Sequence, residues 1–119
     1  MDSVLIIMTS GPETPRRCGT PFHIATVAAT IDYDVSMYFT IDGVLLLRKG
    51  AADAIHPKPG GPALTEFIRN AQESGVKFLA CSGALELHDM QKEDLIADVR
   101  LAGVAAMWEM AEHSKTITF

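Results

Sequence analysis

Short apolar runs separated by loop signals predict a series of buried strands. Four such segments are Val4 to Met8, Val35 to Thr40, Val76 to Ala80, and Lys115 to Phe119, the last of which alternates polar and apolar residues. The continuous apolarity of the first run is typical of a strand that is buried on both faces of a parallel sheet. A fifth strand near Arg100 to Val104 is left open as an alternative.

Segments with apolar residues at helical spacing predict helices between these strands. They are Pro21 to Ile31, Ala63 to Ser74, Gln91 to Val99 and Val104 to His113. A short helix closed by glycine is expected over Val44 to Gly50. Each strand except the last is therefore followed by at least one helical segment.

The remaining segments complete an α/β pattern. Residues 51 to 62 hold three prolines and two glycines, which predicts a long, mobile surface connection. A short turn or helix is expected over Ala84 to Met90. Strands alternating with helices predict one domain over residues 1–119, an α/β three-layer sandwich in which helices cover a mostly parallel sheet of four to five strands.

Composition and charge limit the kinds of partner expected for this protein. The 119 residues carry 15 acidic and 10 basic side chains, a net charge of −5, and no basic stripe, so nucleic acid is not an expected partner. No apolar run reaches the length of a membrane span. The start Met1-Asp2-Ser3 lacks the positive charge of a signal peptide. We expect no membrane span and a cytoplasmic location.

The most informative position is the cysteine where the third predicted strand ends. Cys81 follows that strand and precedes a small Ser82-Gly83 turn, and the carboxyl ends of parallel strands open onto the crevice where ligands bind. Amides that open the next helix would lower the pKa of this thiol and favour a thiolate that can attack the outer sulfur of a persulfide. The alternative is a small buried apolar residue, because free cysteine is among the most buried residue types.

Loops after the first two strands are expected to face the same crevice. Right-handed crossovers place the loops that follow successive parallel strands on one edge of the sheet. Small and polar residues stand at each of these strand ends. The predicted substrate-binding residues are Ser10, Gly11, Asp42, Gly43, Ser82 and Gly83.

Two further residues are candidates for the same chemistry. Cys18 lies beside Arg16 and Arg17, whose charges would stabilise a thiolate that resolves Cys81 or accepts its sulfur. The favoured alternative for Cys18 is packing under the loop at a helix start. His88 is either a base or charge partner for Cys81 or an exposed helix residue, and the exposed residue is the favoured interpretation.

Signals for a resident metal or cofactor are missing from the sequence. Two cysteines and four histidines are scattered without the close pairs of a zinc site. Neither the Gly-Lys-Ser/Thr element of a phosphate loop nor a G-x-G-x-x-G fingerprint is present, and no residue calls for a flavin. We expect no metal and no cofactor.

Four segments carry a resemblance that covers nearly the whole chain. They are RCGTPF at 17–22, YFTIDGVLLL at 38–47, GVKFLAC at 75–81 and KEDLI at 92–96. In these segments the chain resembles the DsrE/DsrF-like family of small sulfur-trafficking proteins, which includes subunits related to TusD, and most closely its DsrE3-type branch.

The resemblance implies an α/β fold that assembles into trimers or hexamers and a cysteine that receives sulfane sulfur as a persulfide. Cys81 matches the position of that cysteine, whereas Cys18 lies in a motif that only some members share. The implied partners are sulfur donor and acceptor proteins of rhodanese or TusA type. A peroxiredoxin activity is not supported, because the Pro-x-x-x-Thr/Ser-x-x-Cys arrangement does not precede Cys81.

The resulting hypothesis is a sulfur carrier or sulfurtransferase that uses Cys81, acting either stoichiometrically or with turnover. One alternative is a non-catalytic assembly or regulatory subunit of a sulfur-relay complex. The other is a redox switch in which Cys18 and Cys81 form a reversible disulfide.

Overall fold

Five parallel strands form the central sheet in the computed structural model, which describes residues 2–119. Their order across the sheet is β4-β3-β2-β1-β5, and every neighbouring pair is parallel. The predicted α/β fold is confirmed. The strands are β1 (Ser3–Met8), β2 (Asp34–Phe39), β3 (Lys77–Cys81), β4 (Val99–Ala102) and β5 (Lys115–Thr118).

The burial of the first and last strands agrees with their positions in the sheet. Leu5 and Ile6 of β1 point to opposite faces and are both fully buried, as the continuous apolar run predicts. The fifth strand, β4, lies where the sequence left it as an alternative. The last strand, β5, is exposed along its length, which suits an edge position with a lysine at its start.

Helices cover both faces of the sheet. Phe22 of the first helix packs on Phe39 and Phe78 of the sheet, with ring centroids 5.7 and 5.8 Å apart. On the opposite face, a cavity of about 380 Å³ lies between Leu79 of the sheet and Met110 of the last helix. The helices are α1 (Gly19–Thr30), α2 (Leu64–Glu73), α3 (Ser82–Leu87) and α4 (Val104–Glu112).

The helix predicted over Gln91 to Val99 is wrong. Only a 3₁₀ turn forms, at Lys92–Asp94, and the chain then extends into β4. The Asp94 carboxylate accepts a hydrogen bond from the Gln91 amide at 2.8 Å, which closes the turn locally. The Ile96 amide bonds the Leu47 carbonyl at 2.9 Å, so tertiary contact takes an amide that a helix would need.

The segment after β2 differs in a smaller way from the predicted short helix. A 3₁₀ helix spans Ile41–Leu47, which begins and ends earlier than the prediction of Val44 to Gly50. Arg48 then leaves the helix in an extended conformation and forms an isolated antiparallel bridge with Leu95. The early start places the first residues of this 3₁₀ helix at the carboxyl edge of the sheet, beside the end of β3.

Candidate thiol site

Cys81 is the last residue of β3 and also the N-cap of α3, so no loop separates the strand from the helix. Its side chain is buried, with 6% of the residue exposed. In the sheet it pairs with Ala102 of β4. The neighbouring Ser82 and Gly83 are exposed, which places the thiol just beneath the surface at the carboxyl edge.

Two side chains and two backbone amides act on the pKa of the Cys81 thiol. Burial raises the pKa of this thiol, but hydrogen bonds from the side chains of Tyr38 and Thr40 and from the amides of Gly83 and Ala84 lower it. The net result is a pKa below the ordinary cysteine value. The site therefore favours a thiolate, which is the nucleophilic form of cysteine.

The Tyr38 hydroxyl acts on the Cys81 thiol, and its own pKa is raised. Burial raises the pKa of the Tyr38 hydroxyl, and the neighbouring Cys81 raises it further. The same hydroxyl lies 3.3 Å from the Ala102 carbonyl oxygen. Because a phenol carries one hydrogen, the hydroxyl can donate to the Ala102 carbonyl or to the sulfur, but not fully to both at once.

Tyr38 and Thr40 were not identified from the sequence. The pairing of Phe39 with Ala80 places Thr40 beside Cys81 at the ends of two neighbouring strands. Tyr38 and Thr40 also share one face of β2, because successive side chains alternate. That alternation was the available signal, but it becomes useful only when β2 and β3 are known to be neighbours.

The predicted loops after β1 and β2 lie against each other. A Cβ atom at Gly11 would stand 2.7 Å from Cβ of Asp42, and a Cβ atom at Gly43 would collide with the carbonyl oxygen of Met8. Only glycine permits either approach. Ser10 is half-buried next to Gly11, so all four predicted residues of these loops lie at this edge of the sheet.

His88 contacts the turn after β2. Its Nε2 atom lies 3.0 Å from the Ile41 carbonyl oxygen and 3.3 Å from Oδ1 of Asp42. The side chain is 20% exposed. His88 is therefore a half-buried residue at the end of α3 that contacts the turn after β2.

Cys18 occupies a different environment from Cys81. It is fully buried at the N-cap of α1, and its thiol donates towards the carbonyl oxygens of Gly11 at 3.3 Å and Thr14 at 3.4 Å. Burial raises the pKa of the Cys18 thiol to about 11. Arg16 and Arg17 are exposed, and neither appears among the groups that shift this pKa. The geometry favours the packing alternative for Cys18.

The described part of the chain lacks two further features. Within residues 2–119, no three His, Cys, Asp or Glu side chains are grouped so that they could hold a metal ion. In the same range, no helix is both long enough and apolar enough to cross a membrane.

The protein is an α/β protein with a parallel sheet and a buried thiol at the carboxyl end of an inner strand. The chain belongs to the DsrE/DsrF-like family, whose model matches residues 2–119. The family resemblance carried by the four sequence segments is thereby confirmed.

Individual relatives agree with this assignment. The sulfur carrier protein DsrE2 of Allochromatium vinosum is 28% identical over 133 residues, covering 79% of this chain and 84% of that protein. The crystal structure of the YchN protein from E. coli superimposes with a TM-score of 0.83 at 16% identity, covering 100% of both chains. MTH1491 from Methanobacterium thermoautotrophicum, a protein of unknown function, gives 0.70 at 18% identity, with 99% and 98% covered. At these identities the solved structures show the fold alone.

Proposed function

We propose that this protein is a sulfur carrier in which Cys81 accepts sulfane sulfur as a persulfide and passes it to a thiol of a partner protein. The observation that carries the proposal is the position of Cys81 at the carboxyl end of β3, where neighbouring polar groups lower the thiol pKa despite its burial. The similarity to a protein named as a sulfur carrier supports it.

The chemistry needs only thiols and persulfides. The Cys81 thiolate attacks the outer sulfur of a donor persulfide, a new S–S bond forms on Cys81, and the donor's S–S bond breaks. The bonding pair leaves with the donor's inner sulfur as a thiolate, so no oxidant or reductant is consumed. In the second transfer, an acceptor thiolate attacks the outer sulfur on Cys81 and releases the Cys81 thiolate.

The same hydrogen bonds serve both transfers. In the first, they raise the thiolate fraction of the attacking Cys81 near neutral pH. In the second, Cys81 is the leaving group, and a thiol of lower pKa leaves faster. A site that stabilises the Cys81 thiolate is therefore suited to a relay, in which sulfur is both taken up and released.

The same proposal includes the partner proteins, the cellular location and the oligomeric state. Donor and acceptor are protein thiols of rhodanese or TusA type, in a cytoplasmic sulfur relay whose carrier is a homotrimer or hexamer. Exposed Ser82 and Gly83 lie at the mouth of the site, where a partner's persulfide approaches. The remaining substrate-binding set, Ser10, Gly11, Asp42 and Gly43, shapes the wall formed by the two touching loops.

Intact mass after incubation with a sulfane-sulfur donor tests the proposal. We expect the parent and Cys18→Ser to gain sulfur, and Cys81→Ser to gain none. Cys18→Ser is the matched control, since it removes the other of the two thiols. Equal sulfur loading on Cys81→Ser and on the parent would overturn the proposal.

A non-catalytic assembly subunit is the second candidate, and the burial of Cys81 at 6% exposure favours it. In that case Cys81 resists a bulky alkylating reagent in the native protein, and partner binding survives its replacement. In a sulfur carrier, native Cys81 reacts with the reagent and sulfur transfer stops on replacement. The two functions are thus separated by one thiol-accessibility measurement.

A further inference from the structure

The end of α3 is built so that His88 leaves the helix in a defined direction. His88 is the C-cap, and Asp89 after it adopts a left-handed conformation with φ of 53°. The Met90 amide bonds the Leu85 carbonyl at 2.8 Å, and the Asp89 amide bonds the Glu86 carbonyl at 3.2 Å. This pair of bonds is the Schellman motif, which fixes the course of the chain at a helix end.

The ring of His88 is held by acceptors alone. Nε2 faces the Ile41 carbonyl oxygen at 3.0 Å and the Asp42 carboxylate at 3.3 Å. The Ile41 carbonyl has no proton to donate, so Nε2 must carry the hydrogen. His88 therefore acts as a donor that joins the end of α3 to the turn after β2.

The turn that receives this bond has an unfavourable backbone. Ile41 adopts φ of 54°, which is an outlier for a β-branched residue, and 51% of the residue is exposed. Burial of its own side chain thus does not hold the conformation, and its neighbours must do so. The Thr40 amide bonds the Met8 carbonyl at 3.0 Å, and the Gly43 amide bonds the Thr40 carbonyl at 2.9 Å. His88 supplies the contact on the side of α3.

The two elements joined by His88 carry three of the four donors to Cys81. Thr40 precedes the strained turn directly, and the Gly83 and Ala84 amides lie in the first turn of α3. Since α3 has only six residues, displacement of its C-terminal end also displaces its first turn. The His88 side chain thereby joins the two segments that carry these groups, the turn after β2 and α3.

We propose that His88 is a positioning residue for Cys81, which clamps α3 to the Ile41–Asp42 turn and so holds the Thr40 hydroxyl and the first amides of α3 around the sulfur. The inference deepens the proposed sulfur-carrier function and rests on it for its biological purpose. The clamp itself is a property of the fold and is measurable without any sulfur transfer.

The test is the pH profile of Cys81 alkylation by iodoacetamide, followed by peptide-resolved mass spectrometry in the parent and in His88→Ala. Loss of the clamp moves the midpoint of the profile to higher pH. At neutral pH the alkylation rate falls about tenfold for each pKa unit of that movement. His88→Gln keeps an N–H donor and should restore part of the shift.

Two further variants make the result specific. His113→Ala removes an exposed histidine whose Nε2 lies 4.0 Å from a Glu112 oxygen, so it should leave the profile unchanged. Thr40→Val removes a donor on which the clamp acts. If His88 works through Thr40, the double variant shifts the midpoint by less than the sum of the two single shifts.

The outcomes separate the clamp from the proposed function. A folded His88→Ala variant with the parent's midpoint overturns the clamp, and if that variant unfolds, the same result in His88→Leu, which also lacks an N–H donor, overturns it. A shifted midpoint in either variant, with the parent's unfolding transition retained, supports the clamp. Failure of the parent to take up sulfur would overturn the carrier function while leaving the clamp result intact.

Discussion

Two cysteines of the same chain show that burial alone does not determine the reactivity of a thiol. Cys18 and Cys81 are 0% and 6% exposed, so both have lost most of their contact with water. The thiol of Cys18 donates towards two carbonyl oxygens, and burial raises its pKa to about 11. Cys81 faces four donors, and its pKa falls. Burial acts to raise the pKa of both thiols, and only Cys81 has neighbouring groups that lower it.

At the residue scale, Tyr38→Phe should weaken the nucleophile without removing it. The Tyr38 hydroxyl donates to the thiolate, so its loss raises the Cys81 pKa towards the ordinary value. A lost hydrogen bond to a charged group is worth about one pKa unit, so alkylation at neutral pH should slow roughly tenfold. At high pH the Cys81 thiol is ionised in both the parent and the variant, so their alkylation rates should converge.

The other tyrosine supplies the matched control for this measurement. Tyr33 lies outside the thiol site, with the Lys115 ammonium 5.8 Å from its ring centroid. Tyr33→Phe should leave the pH dependence of Cys81 alkylation as in the parent. A Tyr38→Phe profile that coincides with the Tyr33→Phe profile would contradict the assigned role of the Tyr38 hydroxyl.

At the scale of elements, the site depends on how closely the loops after β1 and β2 approach each other. The contact between Gly11 and Asp42 and the contact between Gly43 and Met8 leave no room for a side chain. These glycines bring the strained turn, and with it Thr40, to its place beside β3. The glycines at these strand ends are visible in the sequence. The reason that glycine is needed there is the close approach of a second segment.

Gly43→Ala should destabilise the fold because the new Cβ meets backbone atoms of Met8, which cannot move without disturbing β1. Overpacking of this kind costs about 1–3 kcal/mol in the free energy of unfolding, measured by denaturant titration.

Gly103→Ala is the matched control for Gly43→Ala. Gly103 has φ of −83°, and no atom lies within 4 Å of the position of its Cβ. We expect a change below about 1 kcal/mol, limited to the weaker N-cap preference of alanine. Equal destabilisation by the two substitutions would show that the close approach at Gly43 is not what stabilises this edge.

At the scale of the whole molecule, α4 leaves apolar surface uncovered. None of its described residues is buried, and the Met107, Trp108 and Met110 stripe, which suits either core packing or subunit contact, is only partly covered. Trp108 is 65% exposed and Val104 is 55% exposed. Apolar surface of this kind marks interfaces more often than free surface, which supports the proposed homo-oligomer.

Trp108→Glu should therefore shift the protein to a smaller oligomer, measured as molar mass in solution by light scattering or sedimentation. A buried charge without a partner disfavours association, whereas the same charge on a free surface has little effect. Ile31→Glu is the control, because Ile31 is comparably exposed at 61% but lies at the end of α1. A parent that is already monomeric, or a variant with unchanged mass, would refute the proposed role of α4.

The class of fold and the position of Cys81 at a strand end were predictable from the sequence alone. Both are local properties: apolar runs predict parallel strands from Val4 to Met8 and from Val76 to Ala80, and Cys81 follows directly where the latter ends. The family resemblance depended on the same segments. No knowledge of distant contacts was needed for any of these predictions.

Only the tertiary structure decided what surrounds the sulfur. Tyr38 and Thr40 come from β2 and the residue after it, whose proximity to Cys81 depends on strand order and register, which a single sequence does not encode locally. The same reason explains the wrong helix after Gln91, since the Ile96 amide is taken by Leu47 from a distant segment. Hydrogen bonds between remote segments therefore set both the pKa of Cys81 and the course of the chain that leads to β4.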